Sequence, residues 1–78
     1  MQVRVCYFAM LREQRGRAEE WLQVEAETTV AALYRRLFPP GDLGPIPAMF
    51  AINQIYVKGG HLLVEGDEVA FIPPLGGG

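Results

Sequence analysis

Three glycines close the chain. Gly76-Gly77-Gly78 follows Ile72-Pro73-Pro74-Leu75, and the group there with reactivity of its own is the terminal carboxylate of Gly78. Residues without a Cβ make a thin, bendable thread, and the two prolines fix φ and present an extended stem. From Pro73 to Gly78 such a segment reaches about 20 Å when extended, at roughly 3.3–3.6 Å per residue, which is enough to enter a channel in another protein. The bland alternative is a frayed end, since glycine-rich termini are commonly disordered. Reactive side chains elsewhere are sparse. Cys6 is the sole cysteine, which rules out an internal disulfide and any cage built from cysteines. It sits in an apolar run with Arg4 as its nearest cationic neighbour, the setting of a packed small hydrophobe and not of a low-pKa nucleophile. His61, the sole histidine, follows Gly59-Gly60 and reads as a turn residue. No Ser/His/Asp, Cys/His or paired-carboxylate pattern is present, so chemistry at Gly78 would be supplied by partners.

The scaffold that must present this terminus is small. Seventy-eight residues make one domain, 1–78, with 73–78 expected as a flexible tail. A chain of this size buries only about 60% of its unfolded surface, which leaves no room for a deep catalytic cleft. Half of the residues are apolar, but no run approaches the roughly 18 residues of a membrane span, and the N-terminus lacks the basic-then-apolar pattern of a signal peptide. A cytoplasmic protein with no membrane partner is expected. The net charge of −2 sets nine acids against six Arg and one Lys. No basic block is dense enough to track phosphates, so nucleic acid is not an expected partner.

The elements follow from periodicity. Val3, Val5 and Tyr7 alternate with Gln2, Arg4, Cys6 and Phe8, the period of a half-buried strand with the first set inward. Arg12 to Arg17 is polar, contains Gly16, and reads as the turn of a hairpin whose second strand, Glu20 to Glu25, buries Leu22 and Val24. Thr28 or Thr29 is placed to cap a helix of about three turns carrying Val30, Leu33, Tyr34 and Leu37, which Pro39-Pro40-Gly41 ends. Residues 39–47, with four prolines and two glycines, read as an ordered surface loop. Met49 to Val57 reads as two short strands reversing at Asn53-Gln54. Gly59-Gly60 marks a turn, Leu62 to Val64 a brief apolar segment, and Glu65-Gly66-Asp67 a turn with Gly66 able to take positive φ. Glu68 to Ile72 is the last strand, with Val69 and Phe71 inward. Four to five strands packed on one main helix give an α+β fold with a mixed sheet, the β-grasp arrangement.

Parity points to an interface. Cys6, Phe8 and Ile72 all fall on the outward side of their strands, where an exposed sheet face would favour polar residues. If the first and last strands are neighbours, these side chains form an apolar patch beside the emerging tail, a surface suited to a partner. Coverage of that face by the proline-rich loop is the competing expectation.

The runs Val5-Cys6-Tyr7-Phe8-Ala9-Met10-Leu11-Arg12-Glu13, Thr29-Val30 and Ala51-Ile52-Asn53-Gln54 resemble the molybdopterin synthase small-subunit family of ubiquitin-like sulfur carriers. So does Gly66-Asp67-Glu68-Val69-Ala70-Phe71-Ile72-Pro73-Pro74 leading into a terminal Gly-Gly. The resemblance covers nearly the whole chain and is weakest at residues 39–47. It implies that Gly78 is the reactive residue and that a ubiquitin-activating-type adenylyltransferase uses ATP to adenylate its carboxylate. Sulfur from a cysteine desulfurase or rhodanese-type donor then replaces AMP, and the thiocarboxylate donates sulfur to cyclic pyranopterin monophosphate in the large subunit. No cofactor would be bound by this chain itself. The chemistry is sound, because a carboxylate needs a leaving group before it acylates anything, and a thiocarboxylate keeps a soft sulfur nucleophile at neutral pH. In this reading Gly76 and Gly77 give passage, Pro73, Pro74 and Leu75 form the stem, Phe8 and Ile72 anchor the partner, and Arg12 is a rim charge. Gly76 stands where the family usually has a small polar residue, which loosens the tail. The thiamine-pathway sulfur carrier shares fold, tail and activation chemistry but tends to be shorter. A ubiquitin-like modifier of lysines, or an interaction module whose glycines are incidental, are the readings from other classes.

Overall fold

The computed structural model describes residues 1–74, and Leu75, Gly76, Gly77 and Gly78 lie outside the described residues. β1, Gln2–Tyr7, alternates as expected, with Val3, Val5 and Tyr7 almost wholly buried. It is flanked on one side by β2, Glu19–Gln23, running antiparallel with Val5 opposite Glu20. On its other side lies β5, Glu68–Ile72, running parallel with Val5 opposite Val69 and Tyr7 opposite Phe71. β3, Met49–Ile52, pairs antiparallel with β5, and β4, Ile55–Val57, closes the far edge. The resulting five-stranded mixed sheet has the order β2-β1-β5-β3-β4, the α+β β-grasp arrangement.

Two helices connect the strands among the described residues, and the first was not expected. Residues Ala9–Arg15 form α1, where the polar run with its glycine suggests a turn. Met10, Leu11, Arg12, Glu13, Gln14 and Arg15 are all unbranched at Cβ and lose little rotamer freedom in a helix. Leu11 anchors the helix in the core, and Gly16, at φ 74, ends it by donating its N–H to the Arg12 carbonyl at 2.9 Å, a left-handed C-terminal cap. β1 and β2 are thus antiparallel neighbours joined by a helix. β2 also stops one residue short of Val24, which is buried beyond the strand end.

α2, Val30–Leu37, is an eight-residue helix, shorter than the three turns the periodicity suggested. Of the two candidate caps it is Thr29 whose hydroxyl accepts from the Ala32 N–H at 3.1 Å, while the Thr28 hydroxyl donates to the Glu25 carbonyl. The other free amides of the first turn find the following loop: Val30 donates to the His61 carbonyl at 2.9 Å and Ala31 to that of Gly59 at 3.1 Å. His61 therefore contributes its backbone, as a turn residue should. The loop can come this close because Gly59 has no side chain, and a Cβ there would stand 2.9 Å from the Ala31 Cβ. Leu62 to Val64 forms no strand and buries only Leu63, with Leu62 bridged to Thr29.

Val30, Leu33 and Tyr34 of α2 close the core over the inner sheet face. An aromatic cluster fills its centre, with the Phe71 ring 4.9 Å from Tyr34 and 5.7 Å from Phe50, and Tyr7 edge-on to Phe38 at 5.8 Å; such geometries add to simple area burial. The proline-rich segment 39–47 lies on this same side. The Tyr34 hydroxyl donates to the Ile46 carbonyl at 2.7 Å, and Ile46 and Ala48 pack on the core, so the loop does not cover the opposite sheet face.

Polar groups brace the edges. Asn53 and Gln54 both take positive φ, 51° and 70°, making the two-residue reversal between β3 and β4. The Asn53 side chain then locks this hairpin to the last turn: its amide donates to buried Asp67 at 3.0 Å, and its carbonyl accepts from the Glu68 N–H at 2.9 Å. At the other end, the Glu20 carboxylate accepts from the Tyr7 hydroxyl, from Arg15 at 2.7 and 3.2 Å, and from Arg17 at 3.2 Å. Burial pushes the Glu20 carboxyl up, but the bonds from Tyr7 and Arg15 and the charges of Arg15 and Arg17 outweigh it, and its pKa is lowered. Burial and the Glu20 partner raise the Tyr7 phenol well above its ordinary range.

Two outcomes are expected. Gly59→Ala forces the loop off α2 and should cost about 1–2 kcal/mol, as overpacking does, whereas Gly60→Ala, whose Cβ meets nothing within 4 Å, should stay within about 0.5 kcal/mol; denaturant melts of the pair check this. A lowered carboxylate pKa stabilises the fold above the unfolded-state value and loses that contribution as pH falls through the folded one. The parent should therefore lose stability more steeply than Glu20→Gln below about pH 4.5, the ordinary value for this carboxyl, in thermal melts run as a pH series.

Candidate functional site

Both helices and the long loop lie on the inner face of the sheet, so its outer face is uncovered among the described residues. Strand pairing fixes what stands there. Cys6 is opposite Ala70, Ala51 lies between Ala70 and Tyr56, and Met49 is opposite Ile72. Ala51 and Ala70 are short, and the taller Phe8, Tyr56 and Ile72 rise around them, so the face is dished into a shallow groove of about 330 Å³ that Cys6, Gln54 and Glu68 also line. Phe8 is 46% exposed and Tyr56 67% exposed, amounts of bare aromatic surface that suit contact with another protein.

One rim is ionic. Arg4 on β1 bridges Glu19 on β2 and Glu68 on β5, the latter at 2.9 Å. Glu68 itself lines the groove, Glu19 is opposite Cys6, and Arg4 is opposite Trp21, another exposed aromatic on β2. Cys6 is half-buried in the groove floor, where burial pushes its thiol pKa up and Arg4 only partly opposes this. That is the inert thiol expected from the sequence. Among the described residues no three His, Cys, Asp or Glu side chains are grouped to hold a metal ion, and no helix is long and apolar enough to cross a membrane.

The sequence-predicted residues divide into four groups. Phe8 and Ile72 come together on the groove, beside the end of β5. Phe8 gets there differently than expected: it is not a strand residue but the N-cap of α1, with φ −129° and ψ 151°. Arg12, exposed on α1, does not line the groove. Pro73 differs from the free tail that the sequence suggests: it is buried against the body, so that Pro74 is the first exposed residue of the stem. Leu75, Gly76, Gly77 and Gly78 lie outside the described residues. Tyr56, Ala51 and Ala70 were not singled out from the sequence. The signal was present for Tyr56, since a two-residue reversal at Asn53-Gln54 sets it opposite Ala51 on the outward parity.

The Phe8–Ala9 junction is locally unfavourable. Phe8 makes no side-chain hydrogen bond to the helix it caps, at a position where Ser, Thr, Asp or Asn would satisfy a free amide. Ala9 then sits at φ 49°, a left-handed conformation that costs a residue with a Cβ about 1–2 kcal/mol. The junction lowers local stability, and the same backbone path stands an aromatic ring on the groove. Departures of this kind concentrate at functional sites.

Residues 5–78 match the ThiS family. The molybdopterin synthase sulfur carrier subunit of Chlamydomonas reinhardtii is 37% identical over 83 residues, covering 100% of both chains. That of Homo sapiens is 39% identical over 84 residues, covering 99% of this chain and 94% of the human one. Among solved structures, SAMP1 of Haloferax volcanii superposes with a TM-score of 0.75 at 27% identity over 100% of both chains. Subunit 1 of a molybdopterin converting factor from Pyrococcus furiosus gives 0.77 at 26% identity, over 96% of this chain and 99% of that one. The chain belongs to the ThiS family, and over its full length it is similar to the sulfur carrier subunits of molybdopterin synthase.

Proposed function

We propose that this protein is the sulfur carrier subunit of a molybdopterin synthase, cytoplasmic and not an enzyme on its own. A ubiquitin-activating-type enzyme adenylates the Gly78 carboxylate with ATP, releasing pyrophosphate. The outer sulfur of a donor persulfide displaces AMP to form an acyl disulfide, and a second donor thiol attacks the donor-side sulfur, leaving a donor disulfide and the free thiocarboxylate. The thiocarboxylate donates its sulfur to cyclic pyranopterin monophosphate in the active site of the large subunit, and water hydrolyses the acyl link to return the Gly78 carboxylate. The observation that supports this best is the placement of a dished apolar groove at the root of the C-terminal segment, built at the expense of local stability, in a chain similar throughout to sulfur carrier subunits. A partner seated on Phe8, Tyr56 and Ile72 would receive the stem as it leaves β5. Arg12, off the groove, would touch only the periphery of such a partner.

The likeness to SAMP1, named a small archaeal modifier protein, keeps one second reading in view, conjugation of Gly78 to lysines. Incubation with lysate and ATP separates the two, since a modifier produces a ladder of heavier adducts. A carrier instead gains about 16 Da at its own terminus as sulfur replaces oxygen.

Removal of Gly77 and Gly78 should leave the melting temperature nearly unchanged, because neither residue has a side chain to bury, and should abolish sulfur transfer in a reconstituted assay. A truncated protein that still supported molybdopterin formation would defeat the proposal. Phe8→Asp should weaken binding to the large subunit roughly thirtyfold, about 2 kcal/mol, as loss of an aromatic anchor does. The same change should hold or raise stability, because aspartate can cap α1 where phenylalanine cannot. Titration calorimetry with a parallel melt reads both quantities.

A further inference from the structure

α1 carries the proposed docking aromatic at its first turn and has little to hold it in place. Leu11 is its single buried residue, its N-cap makes no side-chain bond, and Ala9 is strained at φ 49°. Beyond the anchor of Leu11 and the Gly16 cap, one carboxylate on β2 ties it down. Glu20 of β2, its side chain only 10% exposed, accepts from the hydroxyl of Tyr7, the residue immediately before Phe8. It also accepts two bonds from Arg15, which closes the last turn of the same helix. The Arg15 guanidinium lies 5.6 Å from the centre of the Tyr7 ring, so the three side chains form one closed unit. Arg17, in the turn that follows, adds a bond to the other carboxylate oxygen.

Both ends of the segment that bears Phe8 are therefore bound to the same group. The Phe8 backbone is held in extended conformation between them, and its carbonyl accepts from Leu11 and Arg12 at 3.1 and 3.3 Å. A half-exposed ring on a strained junction would otherwise sample several directions, and each one lost on docking would cost affinity. We infer that Glu20 is a positioning residue for partner docking: through Tyr7 and Arg15 it fixes the direction in which Phe8 stands on the groove, without touching the partner itself. This rests on Phe8 being a docking anchor, and the test separates the two claims.

The experiment is a double-mutant cycle on the full chain, with affinity for the large subunit read by calorimetry at a temperature where circular dichroism shows every variant folded. Glu20→Ala should weaken binding about five- to tenfold in the parent and by less than twofold in a Phe8→Ala background, because Glu20 acts through that ring alone. Glu20→Gln keeps an acceptor for Tyr7 and Arg15 and should restore most of the loss. Should Glu20→Ala fail to fold, Tyr7→Phe removes one tie while keeping the ring in the core, and should show a smaller loss that likewise vanishes without Phe8. Equal losses in both backgrounds, or no loss at all in the parent, would overturn the positioning role while leaving the groove as the docking surface. If Phe8→Ala itself binds like the parent, the docking role of Phe8 and the inference built on it both fall.

Discussion

The parallel ladder between the first strand and the last is the contact on which everything else depends. It joins residues 64 apart, as in the Arg4–Glu68 bond, and closing a loop of that length costs on the order of 4 kcal/mol of chain entropy. The cost is met where the two strands touch. Val3, Val5 and Tyr7 on β1 and Val69 and Phe71 on β5 are all buried to within 2%, and each such side chain contributes roughly 1.5–3 kcal/mol. Until this pair forms, the β2-β1 and β5-β3-β4 parts of the sheet are unjoined and α2 has no continuous surface to pack on. Once it forms, the end of β5 is brought beside the end of β1, which is how a residue near the start of the chain and the root of its C-terminal segment meet on one groove.

The two faces of the sheet obey different rules. The inner face is closed by α2, by the aromatic cluster and by the proline-rich loop, with no buried side-chain polar atom left unpartnered among the described residues. The outer face has the short side chains of Cys6, Ala70 and Ala51 toward one end of its middle strands, and beside them Arg4 on β1 satisfies Glu19 on β2 and Glu68 on β5 at once. Surface ion pairs of this sort contribute little to stability. Here they interrupt an otherwise apolar face, setting Trp21 apart from the patch around Phe8, Tyr56 and Ile72.

Much of this was legible from residue patterns, and the exceptions share a cause. Strand parity named the inward residues of β1 and β5, Thr29 was one of two candidate caps, and Asn53-Gln54 and Gly66 were correctly read as reversals, with Gly66 at φ 83°. These signals are local and have one dominant interpretation. α1 was hidden because a seven-residue helix with one buried residue carries no periodicity to detect, and its polar run with a glycine reads equally well as a turn. Phe8 was placed on the right face for a reason only half correct, since it leaves the strand before exposing its ring. Tyr56 depended on a register that the two-residue turn fixes only when taken together with Ala51. Pro73 shows the opposite failure: a proline beside glycines reads as linker, and nothing local reveals that the body has room to bury it.

Because the first and last strands run in the same direction, the amino end of β1 and the carboxyl end of β5 lie at opposite poles of the sheet, separated by the length of a strand of five or six residues. At about 3.3 Å per residue that is close to 20 Å. A fluorophore, an affinity handle or a solid support attached beyond Met1 therefore sits on the pole remote from Phe8 and Ile72, leaving the working pole unobstructed.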